Sequence, residues 1–87
     1  MGKVGNIKTK YKAKYSDKQE KIVQYLKECV GDGRKYFKSK DIAKELQLSS
    51  KEVGANMYIL EKTCEELRIT QYAYALGTTW QVHANPF

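Results

Sequence analysis

Eighty-seven residues, 41% of them hydrophobic, suffice for one compact core, leave little room for a second domain, and exclude wholesale disorder. No apolar run approaches the roughly 18 residues a membrane helix needs, and residues 1–15 lack the apolar centre of a signal peptide, so the expected compartment is the cytoplasm. The net charge of +6 is unevenly spread: residues 1–15 hold five lysines and no acid, and the rest hold 11 basic and 10 acidic side chains.

In chain order, residues 1–15 read as a flexible basic arm, with Lys3, Lys8, Lys10, Lys12 and Lys14 among glycines and few aliphatics. Such an arm attracts polyanions, because each neutralised phosphate releases a condensed counterion. The plainer reading is a solubilising terminus. Residues 16–83 read as the folded domain and 84–87 as a short tail. Ser16 with Gln19 makes a capping box, and Ile22, Val23, Leu26, Cys29 and Val30 then recur at helical spacing until Gly31, Asp32 and Gly33 end the first helix. Residues 34–38, holding Tyr36 and Phe37, suit a short strand. Ser39 is expected to cap a brief helix from Lys40 to Leu46, with Gln47 and Leu48 as a tight connection.

Ser49 with Glu52 forms a second capping box and opens the longest helix, about Ser50 to Glu66. Val53, Met57, Leu60 and Cys64 form its apolar stripe. After Leu67 the period changes from 3.6 to 2, so Arg68 to Tyr74 and Thr79 to His83 read as the strands of a hairpin, with Trp80 and Val82 on its inner face. Cys29 and Cys64 lack a CxxC partner and His83 is the single histidine, which falls short of the roughly four ligands of a structural zinc site. Two thiols filling core space suit a reducing compartment better than a disulfide. No metal or cofactor is expected.

The fold class is therefore α+β: three helices, a short strand after the first and a C-terminal hairpin. A short helix, a tight turn and a longer helix give the helix-turn-helix layout, and a following hairpin makes it winged. From Tyr36 to Val82 the run YFKSKDIAKELQLSSKEVGANMYILEKTCEELRI…TTWQV resembles small archaeal winged-helix proteins and, more loosely, winged-helix transcription regulators. That resemblance implies the fold more strongly than any single use of it.

In helix-turn-helix geometry the second helix of the pair enters the major groove. With Val53 inward, the opposite face of the third helix carries Lys51, Ala55, Tyr58 and Lys62, flanked by Ser50 and Asn56. The lysines suit phosphates, and Tyr58 suits a phosphate or a stacked base. Asn56 has two readings, bidentate pairing with adenine or a hydrogen bond to a neighbouring helix. Gly54 is costly inside a helix and points to close approach by another helix or by a ligand backbone. Arg34, Lys35, Lys38, Lys40 and Lys44 against Asp41 add a local excess of positive charge.

Two features limit sequence reading. Ala55 stands near where the regulators that this run resembles often carry arginine, and residues 69–87 hold no charged side chain. The expected function is duplex-DNA binding of weak specificity, led by the arm and the region of the second helix, by a transcription or chromatin-associated factor. The alternative is a protein-docking or dimerising winged helix using Tyr72, Tyr74 and Leu76; the strand face shared by Tyr72 and Tyr74, if exposed, suits stacking with single-stranded nucleic acid as well as protein, and RNA is compatible with the lysine-tyrosine arm. Catalysis is not expected, since His83 has no carboxylate or nucleophile pattern beside it.

Overall fold

The computed structural model describes residues 15–73 and 78–85. Over them the chain is α+β, with three helices and one three-stranded antiparallel sheet. In chain order these are α1 (Asp17–Gly31), β1 (Tyr36–Lys38), α2 (Ser39–Leu46), α3 (Ser50–Thr63), β2 (Leu67–Ala73) and β3 (Thr79–Ala84). The architecture is compatible with a small winged-helix-like fold.

Both helices opened by a capping box form where the local signal puts them. Ser16 Oγ accepts from the Gln19 amide while Gln19 Oε1 accepts from the Ser16 amide, at 3.2 and 3.0 Å. Ser49 and Glu52 repeat the exchange at the start of α3, at 3.0 Å each way. Reciprocal bonds of this kind satisfy amides that a helix start otherwise leaves unpaired. After α1, Gly33 takes φ 98°, a left-handed conformation that a side chain would strain. At the end of α2, Gln47 is left-handed too, and the Leu48 amide closes the turn onto the Ala43 carbonyl at 2.9 Å.

α2 departs from expectation. It starts at Ser39, and the residue before it, Lys38, makes no side-chain cap. Ser39 does not cap the helix; it is buried, and its Oγ accepts from Trp80 Nε1 at 2.8 Å. A buried indole N–H needs a partner, and the Ser39 amide also donates to the Thr78 carbonyl at 3.0 Å. These two bonds clasp the start of α2 to the start of β3.

α3 ends at Thr63, three residues before Glu66, because Cys64 is already extended (φ −75°, ψ 125°). The carbonyls of Glu65 and Glu66 accept instead from Asn85, through its side-chain and backbone N–H groups at 2.9 and 3.0 Å. Asn85 is thereby tied to the body, and β3 runs on to Ala84, so the expected tail from 84 is shorter by at least these two residues.

The sheet order is β1-β3-β2. Phe37 pairs with Trp80, and Ile69 with Val82. These four face the helices and, with Leu67, join Ile22, Val23 and Leu26 of α1, Ile42 and Ala43 of α2, and Val53, Met57 and Leu60 of α3 in the core. Cys29 and Cys64 are free thiols, half-buried at its edge.

The domain boundary also moves. Tyr15, assigned to the arm, packs against the core, and its hydroxyl donates to Glu66 Oε1 at 2.8 Å. Burial and that carboxylate push its phenol above the ordinary range. The lysines of the arm and the segment from Tyr74 to Gly77 lie outside the described residues. Among the described residues no helix is long and apolar enough to cross a membrane.

Candidate nucleic-acid interface

The clasp between Ser39 and β3 leaves a groove of about 350 Å³ between the β1–α2 junction, the first turn and a half of α3, and the approach to β3. Its walls are Lys38, Lys40, Ser50, Lys51, Gly54 and Thr78. The three lysines are all exposed, and no carboxylate lines the space. A concavity walled by one sign of charge concentrates the field of that sign, so this one attracts anions.

Gly54 is the residue through which that geometry is readable. A Cβ built on it would meet nothing within 4 Å. Helix packing does not explain the glycine, contrary to the blander of the two expectations, and it faces open space in a lysine-walled groove. A helix-interior glycine costs about 1 kcal/mol against alanine.

The exposed face of α3 continues from the groove. Lys51, Ala55, Tyr58 and Lys62 are all exposed along one side of the helix. Lys62 Nζ sits 4.2 Å from the centre of the Tyr58 ring, so the ammonium is already partnered by the ring face. Lys62 is less available to a phosphate than Lys51.

Asn56 lies off that face. It is half-buried, its Oδ1 accepts from Gln19 Nε2 at 3.1 Å, and its Nδ2 donates to the Glu52 carbonyl at 2.8 Å. Both ends of the amide are committed, the oxygen to α1 and the nitrogen to the preceding turn of α3 itself, the reading in which Asn56 joins helices rather than reads bases. Glu52 works on the same seam. It pairs with Lys18 across 34 residues of sequence. That ammonium, helped by the Ser49 amide, lowers the Glu52 carboxyl from 4.5 to about 2.

Arg34 leaves the basic cluster around α2. Its guanidinium lies 4.7 Å from the centre of the Phe37 ring and donates to the Tyr25 hydroxyl at 3.3 Å. Lys8, Lys10, Lys12 and Lys14 fall outside the described residues. The site residues read from the sequence thus divide. Lys38, Lys40, Ser50 and Lys51 meet in the groove, and Ala55, Tyr58 and Lys62 extend from it. Sequence reasoning missed Thr78, which carries no local signal, and it noticed Gly54 without placing it in the site.

A second hollow, about 410 Å³, lies along the outer side of α1. Asp17, Glu20 and Glu28 outnumber Lys21 in its walls, so it repels the ligands that the first groove attracts. Among the described residues no group of three or more histidine, cysteine, aspartate and glutamate side chains is placed to hold a metal ion.

No curated protein and no solved structure matches the chain. A match to a family model runs from residue 6 in the lysine-rich start to residue 84 at the end of β3, and with nearly the whole chain so covered, the protein belongs to that family, described as a domain of unknown function (DUF7123).

Proposed function

We propose that this chain is a cytoplasmic winged helix-turn-helix protein that binds duplex DNA with little sequence preference, as a transcription or chromatin-associated factor. It acts as a binder and not as a catalyst. In this reading α2 and α3 are the helix-turn-helix pair, joined through the left-handed Gln47, and β2 with β3 forms the wing. The resemblance to small archaeal winged-helix proteins and to winged-helix regulators points the same way.

The observation that carries the reading is the groove of Lys38, Lys40 and Lys51 over the bare backbone of Gly54. A sugar-phosphate strand comes nearest a helix backbone where no side chain intervenes, as at Gly54, and three lysines supply the countercharge. Phosphate contacts position a protein without reading bases. Ala55, at the centre of the exposed face, offers bases only a methyl group, and Asn56 is committed elsewhere. Weak specificity follows.

The test is affinity for random-sequence duplex at two salt concentrations. Lys40→Ala with Lys51→Ala should weaken binding across all sequences and lower the steepness of the salt dependence by as much as about 1.8, at roughly 0.9 for each phosphate no longer neutralised. Gly54→Ala should stabilise the fold by about 1 kcal/mol and still weaken duplex binding. Unchanged duplex affinity in the double lysine variant rejects the proposal. A Gly54→Ala protein that binds like the parent removes the close-approach element.

A further inference from the structure

The sheet has a second, outward face that no element of the described chain covers. Tyr36 of β1, Gln81 of β3 and Thr70 of β2 form one cross-strand row on it, and Arg68 pairs with His83 in another. The ladder between β2 and β3 is irregular between Gln71 and Ala73, and there the Tyr72 ring reaches over the central strand. Its centroid lies 5.0 Å from that of Tyr36, with the planes tilted by 52°. Gln81 Nε2 donates to the Tyr36 hydroxyl at 3.3 Å and fixes that ring. A cross-strand aromatic pair stabilises a sheet, yet 49% of Tyr36 and 61% of Tyr72 remain exposed, with ring surface open to a ligand.

The charge on this face has one sign. Arg68 and Lys38 are exposed on its strands, and none of the residues of β1, β2 and β3 is a carboxylate. Rigid, open aromatic rings flanked by cations suit unpaired nucleobases, whose π-faces stack on tyrosine while phosphates follow the cations. A duplex keeps its base faces stacked on one another and cannot use such rings. A protein partner is favoured by aliphatic anchors around the aromatics, whereas Thr70 and Gln81 border this pair.

We propose that the outer sheet face binds single-stranded DNA, with bases stacked on Tyr36 and Tyr72 and phosphates held by Arg68 and Lys38. The choice of DNA over RNA rests on the duplex reading above, because Lys38 borders both surfaces; the stacking surface itself is separate from the groove.

Fluorescence anisotropy of the full chain with a short oligodeoxythymidylate, an oligouridylate of equal length and a random duplex tests this. Tyr72→Ala should weaken oligodeoxythymidylate binding about tenfold, and Tyr36→Ala by a similar factor, as loss of one stacked base predicts. Tyr72→Phe should stay within about threefold of the parent, since the ring face is kept, and duplex binding should be unchanged in all three. Tyr72→Ala removes an exposed side chain and decides the matter if Tyr36→Ala fails to fold. The proposal is overturned if the parent does not bind oligodeoxythymidylate, or if Tyr72→Ala binds it equally well. It also falls if oligouridylate binds as tightly, or if the tyrosine substitutions abolish self-association instead. Duplex binding lost in Lys40→Ala with Lys51→Ala while single-strand binding persists supports two separate surfaces; the absence of all duplex binding with single-strand binding intact defeats only the groove reading.

Discussion

The indole of Trp80 is 1% exposed, and its one N–H points at Ser39 Oγ. In a core that is otherwise apolar, this bond satisfies a donor that water cannot reach. Ser39→Ala should therefore leave the fold intact but destabilise it by about 1–3 kcal/mol, the range for an orphaned buried donor. Urea unfolding followed by the emission of Trp80, the one tryptophan, reads this directly; an unchanged midpoint would show that the bond contributes nothing net. A serine before a helical run carries the same signature whether its hydroxyl turns to its own helix or to an indole 41 residues away, which is why Ser39 reads as a cap from sequence. Tyr15 is a similar case. The nearest signal is its place just before the Ser16 cap, where an apolar side chain often packs back onto the helix, but its partners at Glu66 and the core are distant in sequence.

Between elements, the seam of α1 and α3 is polar where it reaches solvent. Lys18 pairs with Glu52, and Gln19 bonds Asn56, so the starts of the two helices are locked together. Glu52 has a folded pKa of about 2 against an ordinary 4.5. The folded value is the lower one, so its contribution is complete above pH 4.5 and is lost as pH falls towards 2. Glu52→Gln keeps a side chain able to complete the capping box while removing the charge. The stability gap between parent and variant should be constant near neutral pH, shrink from about pH 4.5 downward and close near pH 2. Added salt should narrow it, because the pair is exposed and screened. A gap that does not change with pH would assign the effect to the cap alone. The starts of α1 and α3 were legible because a capping box is complete within four residues. The end of α3 was not, because Asn85 supplies the amides that let the chain leave the helix early, and nothing near Cys64 announces a partner 20 residues on. In the candidate site the lysines were legible as charge, whereas the groove depends on how far α2, α3 and β3 stand apart, and the Ser39 clasp that ties α2 to β3 spans 41 residues of sequence.

Across the whole molecule, charge is divided between a body that is nearly neutral and a start that holds Lys3, Lys8, Lys10, Lys12 and Lys14 without an acid. Under the duplex reading, the groove fixes where DNA sits and the arm supplies most of the counterion release. The two contributions separate by salt. Replacing Lys8, Lys10, Lys12 and Lys14 with serine should lower the steepness of the salt dependence by as much as about 3.6, at roughly 0.9 per phosphate released, twice the loss expected from the two groove lysines. The substitutions spare Tyr15, whose contacts with Glu66 and the core belong to the body, so thermal stability should match the parent. Truncation after residue 15 would confound the two, removing the packing of Tyr15 on the core together with the charge. An arm variant with the parent's salt dependence would mean that the lysines of the arm meet no phosphate, and the binding surface would then contract to the groove beside Gly54.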